Sequence, residues 1–188
     1  AINNKLLTVR QKRIPPGIDD KCLTAWNGLL VSGLCETYKA THKKEHLNMA
    51  MLCLDAILEH QLKPKNQLLH TYKNGESTID GMLDDYAFVT EACLSVYQLT
   101  GDENYLTLAN QLTQYAIRYF YDIEKEIFYF NKENELIVRT TEIHDNVIPA
   151  TNSAMAHVLL QLGLIFGNTE YLSISENLVG KVQQNISE

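Results

Sequence analysis

The chain has 188 residues, 45% of them hydrophobic and 21% charged, which suits one folded domain with a sizeable core and argues against disorder. A formal charge of −7 with no run of Lys or Arg excludes a phosphate-tracking nucleic-acid surface and a basic membrane patch, leaving a small neutral or cationic partner. No apolar run approaches the roughly 20 residues of a membrane span, and the start "AINNKLLTVRQKRIPP" has no signal-peptide h-region.

The four cysteines, Cys22, Cys35, Cys53 and Cys93, form no C-x-x-C pair and sit among apolar residues. They read as reduced, packed thiols, so a cytoplasmic location is expected. The chain opens on Ala1 rather than methionine, and a piece of a longer polypeptide, folded as a single domain over 1–188, is the expected organisation.

Taken in order, Leu23, Trp26, Leu30, Leu34 and Tyr38 recur at three- and four-residue steps, and Leu47, Met51, Leu54 and Leu58 follow them in a second helix. The pair returns from Leu83 to Leu99 and Tyr105 to Tyr119, and again from about Ile148 to Ile165 and Tyr171 to Val182. The turns "THKKEHL", "TGDENYL" and "FGNTEYL" begin at Thr41, Thr100 and Phe166, giving repeat steps of 59 and 66 residues. Those steps place Trp26 over Asp85 and Thr151, and Asn27 over Tyr86 and Asn152. The first helix of each pair is apolar on several sides while the second has a solvated face, the pattern of an inner ring of helices wrapped by an outer one. Between the pairs, "LLHTY" at Leu68–Tyr72 reads as a strand, and Glu126 to Thr140 as a β-hairpin around "KENE".

Three stretches, "RIPPGIDDKCLTAWNGL", "DGMLDDYAFVTEACLSVYQLTGDENYL" and "ELIVRTTEIHDNVIPATNSAMAHVLLQLG", resemble in order the C-terminal helical region of thioredoxin-domain proteins related to spermatogenesis-associated protein 20, the uncharacterised domain family numbered 255. The resemblance runs from about Arg10 to Leu172 and implies an (α/α)6 toroid similar to N-acylglucosamine 2-epimerases and six-hairpin glycosidases. The fold class is therefore all-α: helical-hairpin repeats forming about half of an (α/α)6 toroid, with a small β-hairpin insertion near 126–140. Where the family pattern is expected to read close to "PSGNS", this chain has Pro149-Ala150-Thr151-Asn152-Ser153. The family's thioredoxin-like domain lies outside the chain and is an expected partner. Half a ring leaves open seams, so pairing with a second copy as a homodimer, or compaction into a bundle, is expected.

Asp19, Asp20 and Lys21 stand just before the first inner helix, either as caps and dipole partners or as acid–base and binding groups. Capping leaves Trp26 and Asn27 unexplained; a stacking indole and a bidentate amide suit a sugar ring, though the indole is equally well read as core. In "DGMLDDY", Asp80 and Asp84 are four apart and would share a helix face, and with Asp85 they offer the paired carboxylates of glycosidic chemistry. They are equally well read as helix-start acids. Tyr86 and Asn152 complete the polar ring by repeat position.

The resemblance to epimerases, which use histidine acids and bases, points to His144, with His70 second. The expected catalytic set is Asp19, Asp20, Asp84, Asp85 and His144, and the expected substrate-binding set Lys21, Trp26, Asn27, Asp80, Tyr86 and Asn152. No ligand spacing suits zinc and no nucleotide motif is present, so no metal or cofactor is expected. The functional expectation is sugar epimerase or glycosidase-type acid–base chemistry on a sugar-like ligand, the alternative being a non-catalytic scaffold module for the thioredoxin-like domain.

Overall fold

The computed structural model describes residues 2–132 and 138–186. A first helix, α1 (Ile2–Arg10), buries none of its residues. A two-residue strand β1 (Cys22–Leu23) then leads into α2 (Thr24–Thr41) and α3 (Lys44–Gln61). Strand β2 (Leu62–Lys63), a 3-10 turn (Pro64–Asn66), β3 (Gln67–Lys73) and β4 (Glu76–Asp80) precede the second hairpin, α4 (Leu83–Thr100) and α5 (Glu103–Phe120). Strands β5 (Tyr121–Asp122) and β6 (Ile127–Phe128) and a long loop follow, and α6 (Thr151–Phe166) and α7 (Thr169–Ile186) form the third hairpin. Among the described residues no helix is long and apolar enough to cross a membrane.

The three expected helical hairpins are present, and their turns show why the spacing was regular. His42, Gly101 and Gly167, separated by the same steps of 59 and 66 residues, end α2, α4 and α6 in the left-handed conformation. Each donates its N–H to the carbonyl four residues back, on Tyr38, Tyr97 and Gly163. Glycine reaches a positive φ freely, whereas His42 pays a steric penalty of about 1 kcal/mol.

Helix α4 is the hub. Residues Leu83 to Thr90 are buried without a break, because α2 and α6 flank it and α5 backs it. Tyr86 and Phe88 are fully buried, and side chains of this size contribute about 1.5–3 kcal/mol each by leaving water. The outer α5 instead buries one stripe, Leu106, Ala109, Leu112, Ala116 and Phe120. Contact between α2 and α4 is close because residue 28 has no side chain: a Cβ there would stand 2.8 Å from the Phe88 carbonyl carbon.

The sheet exceeds the single strand expected from sequence. β3 is central and antiparallel to β1 (Leu23 opposite Thr71), to β2 (Leu62 opposite Leu68) and to β4 (Leu69 opposite Asp80). Asn74 and Gly75, both at positive φ, make the tight turn joining β3 to β4.

The hairpin expected over 126–140 is corrected: Ile127–Phe128 pairs backwards with Tyr121–Asp122, residues 138–140 form no strand, and 133–137 lie outside the described residues. One forward bond survives, from Phe130 N–H to the Thr140 carbonyl.

Candidate active site

The N-terminal ends of α2 and α4 meet at Asp85, the third residue of α4. It is completely buried and accepts from three N–H groups. Its Oδ2 takes the backbone N–H of Met82 at 2.9 Å, closing the first turn of its own helix. Its Oδ1 takes the N–H of Ala25 at 2.9 Å, at the start of α2. From β3, His70 Nδ1 approaches Oδ2 at 2.9 Å, and this hydrogen bond raises the imidazole pKa above its ordinary value. One carboxylate thus closes the first turn of its own helix and also satisfies a donor of α2, which no local side chain caps.

Asp84 is 6% exposed, and its Oδ1 accepts the Asp85 N–H at 2.9 Å. Burial, then the neighbouring Asp85 charge, push its pKa up to about 7; His70 opposes the shift, and Glu142 adds to it from the loop before α6. At neutral pH this carboxyl is poised to hold and release a proton, the property a general acid needs.

One ligating atom each from His70, Asp84 and Asp85 lies within 4.8 Å of the others, a grouping that no short sequence spacing announced. The His70 Nδ1 and both Asp85 oxygens are already engaged with one another and with backbone donors. The arrangement accordingly favours proton chemistry at Asp84 over metal binding.

A cleft of about 440 Å³ is lined by Trp26, Glu142 and His144 together with the loop from Thr141 to Ala150. Trp26 is 57% exposed, so its indole is a wall and not core. It also borders a second recess of about 400 Å³ that holds Asp19, Lys21 and Asn27. His144 is exposed, while Asp145 Oδ1 accepts the N–H of Ala150 and fixes the entry to α6.

Several expected site residues have other work. Asp19 and Asp20 do not cap α2, because β1 intervenes and Leu23 occupies the cap position. Both are exposed; Asp19 pairs with Lys21 at 2.7 Å and Asp20 with Lys73, and these lysines hold both carboxyls below the ordinary carboxylate value. Such carboxyls are poor proton donors at neutral pH. Asp80 ends strand β4 instead of sharing a helix face with Asp84; it is exposed and pairs with Lys132 at 3.2 Å. Tyr86 is fully buried, its hydroxyl accepting the Leu68 N–H at 2.9 Å and its ring stacked on Tyr115. Asn27 donates to its own helix at the Leu23 carbonyl, 2.8 Å away.

Asn152 works as a clasp: its Oδ1 accepts the Phe128 N–H and its Nδ2 donates to the carbonyls of Phe128 and Glu142. It therefore sets the position of the Glu142 segment. Glu142 was missed in sequence, although "TTEIHDN" carried an acid next to the favoured His144. The pairing of His70 with Asp85 was missed as well.

Human (Homo sapiens) spermatogenesis-associated protein 20 is 30% identical over 181 residues, a match covering 89% of this chain and 23% of the relative. The chain thus spans about a quarter of the length of the curated relatives it matches. Among solved structures, cellobiose 2-epimerase from Bacillus thermoamylovorans superposes with a TM-score of 0.72 at 16% identity, over 89% of this chain and 46% of that one. An inactive variant of the GH76A alpha-1,6-mannanase of Salegentibacter sp., with two consecutive aspartates changed to asparagine and alpha-1,6-mannotriose bound, superposes with a TM-score of 0.68 at 13% identity, over 95% and 51%. These likenesses give the fold, a glycoside-hydrolase-like and epimerase-like α/α toroid. Residues 23–187 match the model for the beta-L-arabinofuranosidase GH127 catalytic domain, and the chain belongs to that family.

Proposed function

We propose that the chain cleaves a glycosidic bond, with Asp84 as general acid and Glu142, which lines the Trp26 cleft, as the second carboxylate. The observation that carries this reading is the buried Asp84 carboxyl with its pKa near 7, next to Asp85 and within electrostatic reach of Glu142. Protonated Asp84 gives its proton to the leaving oxygen, and Glu142 supports the positive charge or the water at the sugar carbon. Trp26 offers its face to the ring, on the same cleft as Glu142 and His144. Asp85 and His70 act as positioning residues: Asp85 holds the first turn of α4 and the start of α2, and His70 fixes the orientation of the Asp85 carboxyl. The adjacent aspartates changed in the inactive mannanase support attention to an adjacent pair here.

The test is a panel of aryl glycosides, with wild type, Asp84→Asn and Glu142→Gln, on the chain and on any longer polypeptide containing it. Turnover lost in both variants with the fold intact is expected, as is a wild-type rate that falls above about pH 7. Unchanged turnover in Asp84→Asn sinks the assignment. Epimerisation, favoured by the likeness to cellobiose 2-epimerase, is read in the same samples as a new sugar isomer without new reducing ends. A folded protein that neither turns over nor gains thermal stability from any sugar supports the module reading, with a thioredoxin-like domain as partner.

A further inference from the structure

The middle hairpin carries a second groove, on its outer helix. Along α5, Gln111, Gln114, Tyr115, Arg118 and Tyr119 recur at three- and four-residue steps and so form one stripe. The 3-10 turn Pro64–Asn66 stands against that stripe, and about 460 Å³ of space lies between them. None of its lining residues belongs to the Trp26 cleft.

The net charge of −7 points away from an anionic ligand, yet that charge is not evenly spread. No Asp or Glu lines this groove, whereas Lys65 and Arg118 both do. Among the described residues neither cation joins an ion pair, while Lys21, Lys39, Lys73 and Lys132 are each paired with an acid. Asp80 approaches from β4 and accepts from Gln67 Nε2 at 2.9 Å, but Lys132 offsets its charge at 3.2 Å. The groove therefore presents positive charge that no side chain cancels.

Its walls are also held in place. The Tyr115 ring stacks at 4.8 Å on fully buried Tyr86, and the Arg118 guanidinium lies 5.3 Å over the ring of Tyr119. Lys65 (φ 67°, ψ 25°) and Asn66 (φ 61°) are consecutive left-handed residues. Asparagine reaches that conformation readily, but lysine does so only against steric resistance that glycine would relieve. Strain of this kind clusters where a turn is shaped to hold a ligand.

We propose that this groove binds a sugar phosphate. A phosphate monoester carries about −1.5 to −2 charge at neutral pH, which answers both cations; a carboxylate answers one of them. The planar Arg118 fork suits two phosphate oxygens, with the Lys65 ammonium as a point charge beside it. The Asn66 and Gln111 amides offer donors and acceptors for sugar hydroxyls, and the Tyr119 ring gives apolar contact. Inorganic phosphate leaves the amides and the ring unused, and a neutral sugar leaves both cations unanswered.

Isothermal titration of the chain at low ionic strength with glucose 6-phosphate, fructose 6-phosphate and ribose 5-phosphate tests this, with glucose, glucuronate and inorganic phosphate as controls. At least one sugar phosphate should bind saturably and more tightly than all three controls. Arg118→Gln and Lys65→Gly should each weaken that binding about tenfold or more. Their circular dichroism spectra should match wild type, since Arg118 is exposed and glycine suits the backbone at 65. Val147→Asp puts an acid on the Trp26 cleft alone and should leave the affinity unchanged. The proposal is overturned if no sugar phosphate binds, or if inorganic phosphate, glucuronate or glucose binds as tightly. It is equally overturned if Arg118→Gln and Lys65→Gly bind as wild type does, or if Val147→Asp abolishes binding.

Discussion

Asp84→Asn should make the protein more stable at neutral and alkaline pH, and the size of the gain follows from the site. The folded carboxyl has its pKa near 7, against 3.8 for an ordinary aspartate. Between those values the folded state holds a proton that the unfolded chain releases, so stability falls as pH rises through the window. Each unit of difference is worth about 1.4 kcal/mol, which sets a ceiling of about 4 kcal/mol above pH 7. The asparagine keeps the Oδ1 acceptor for the Asp85 N–H and carries no charge, so it escapes this loss. Urea denaturation of both proteins from pH 4 to 8, with the m-value checked for constancy, measures the effect. The difference should be near zero at pH 4 and should grow in favour of the variant up to pH 7. A difference that stays flat with pH, or a variant less stable at pH 8 than at pH 4 relative to wild type, refutes the burial argument.

His70→Leu removes a donor to buried Asp85 and should cost about 1.5–3 kcal/mol, the range for hydrogen bonds to charged groups. Because the folded imidazole pKa is raised above 6.5, the loss is full below pH 6.5 and shrinks as pH climbs through the folded value; urea midpoints at pH 5.5 and 8.5 check this. Gly28→Ala drives a methyl to 2.8 Å from the Phe88 backbone and should cost about 1–3 kcal/mol by prising α2 from α4, read as a lower thermal midpoint. Trp26→Ala, at an exposed position, should change stability by no more than about 0.5 kcal/mol while abolishing any sugar-induced rise in the midpoint; retention of that rise removes the indole from the binding surface.

The helical hairpins were legible because their signals are local. Apolar spacing fixes which side of each helix is buried, and the left-handed ends at His42, Gly101 and Gly167 preserve the repeat. Asn74-Gly75 was equally local and would have announced β4, but alternation in "ESTID" alone does not. What failed depended on distant partners. Asp19 and Asp20 looked like the cap of α2 because they are next to it, whereas the acceptor comes from Asp85, 60 residues on. β1 forms only because Cys22 and Leu23 find Tyr72 and Thr71, and that short strand displaces the two aspartates towards lysines. Tyr86 and Asn152 fall on the predicted repeat positions, yet one is absorbed by core stacking and the other by a backbone clasp. The adjacent Asp84 and Asp85 were visible as a pair, but their division of labour follows from which oxygen meets which helix.

Tandem repeats ordinarily fold as nearly separable units, each stable in proportion to its own contacts. The carboxylate shared between α2 and α4 removes that freedom at the first joint, since the opening turn of one unit borrows its terminator from the next. Trimming the second hairpin should therefore unravel the start of the first, and hydrogen exchange at Ala25 should report the opening of α4 before it reports anything in its own helix.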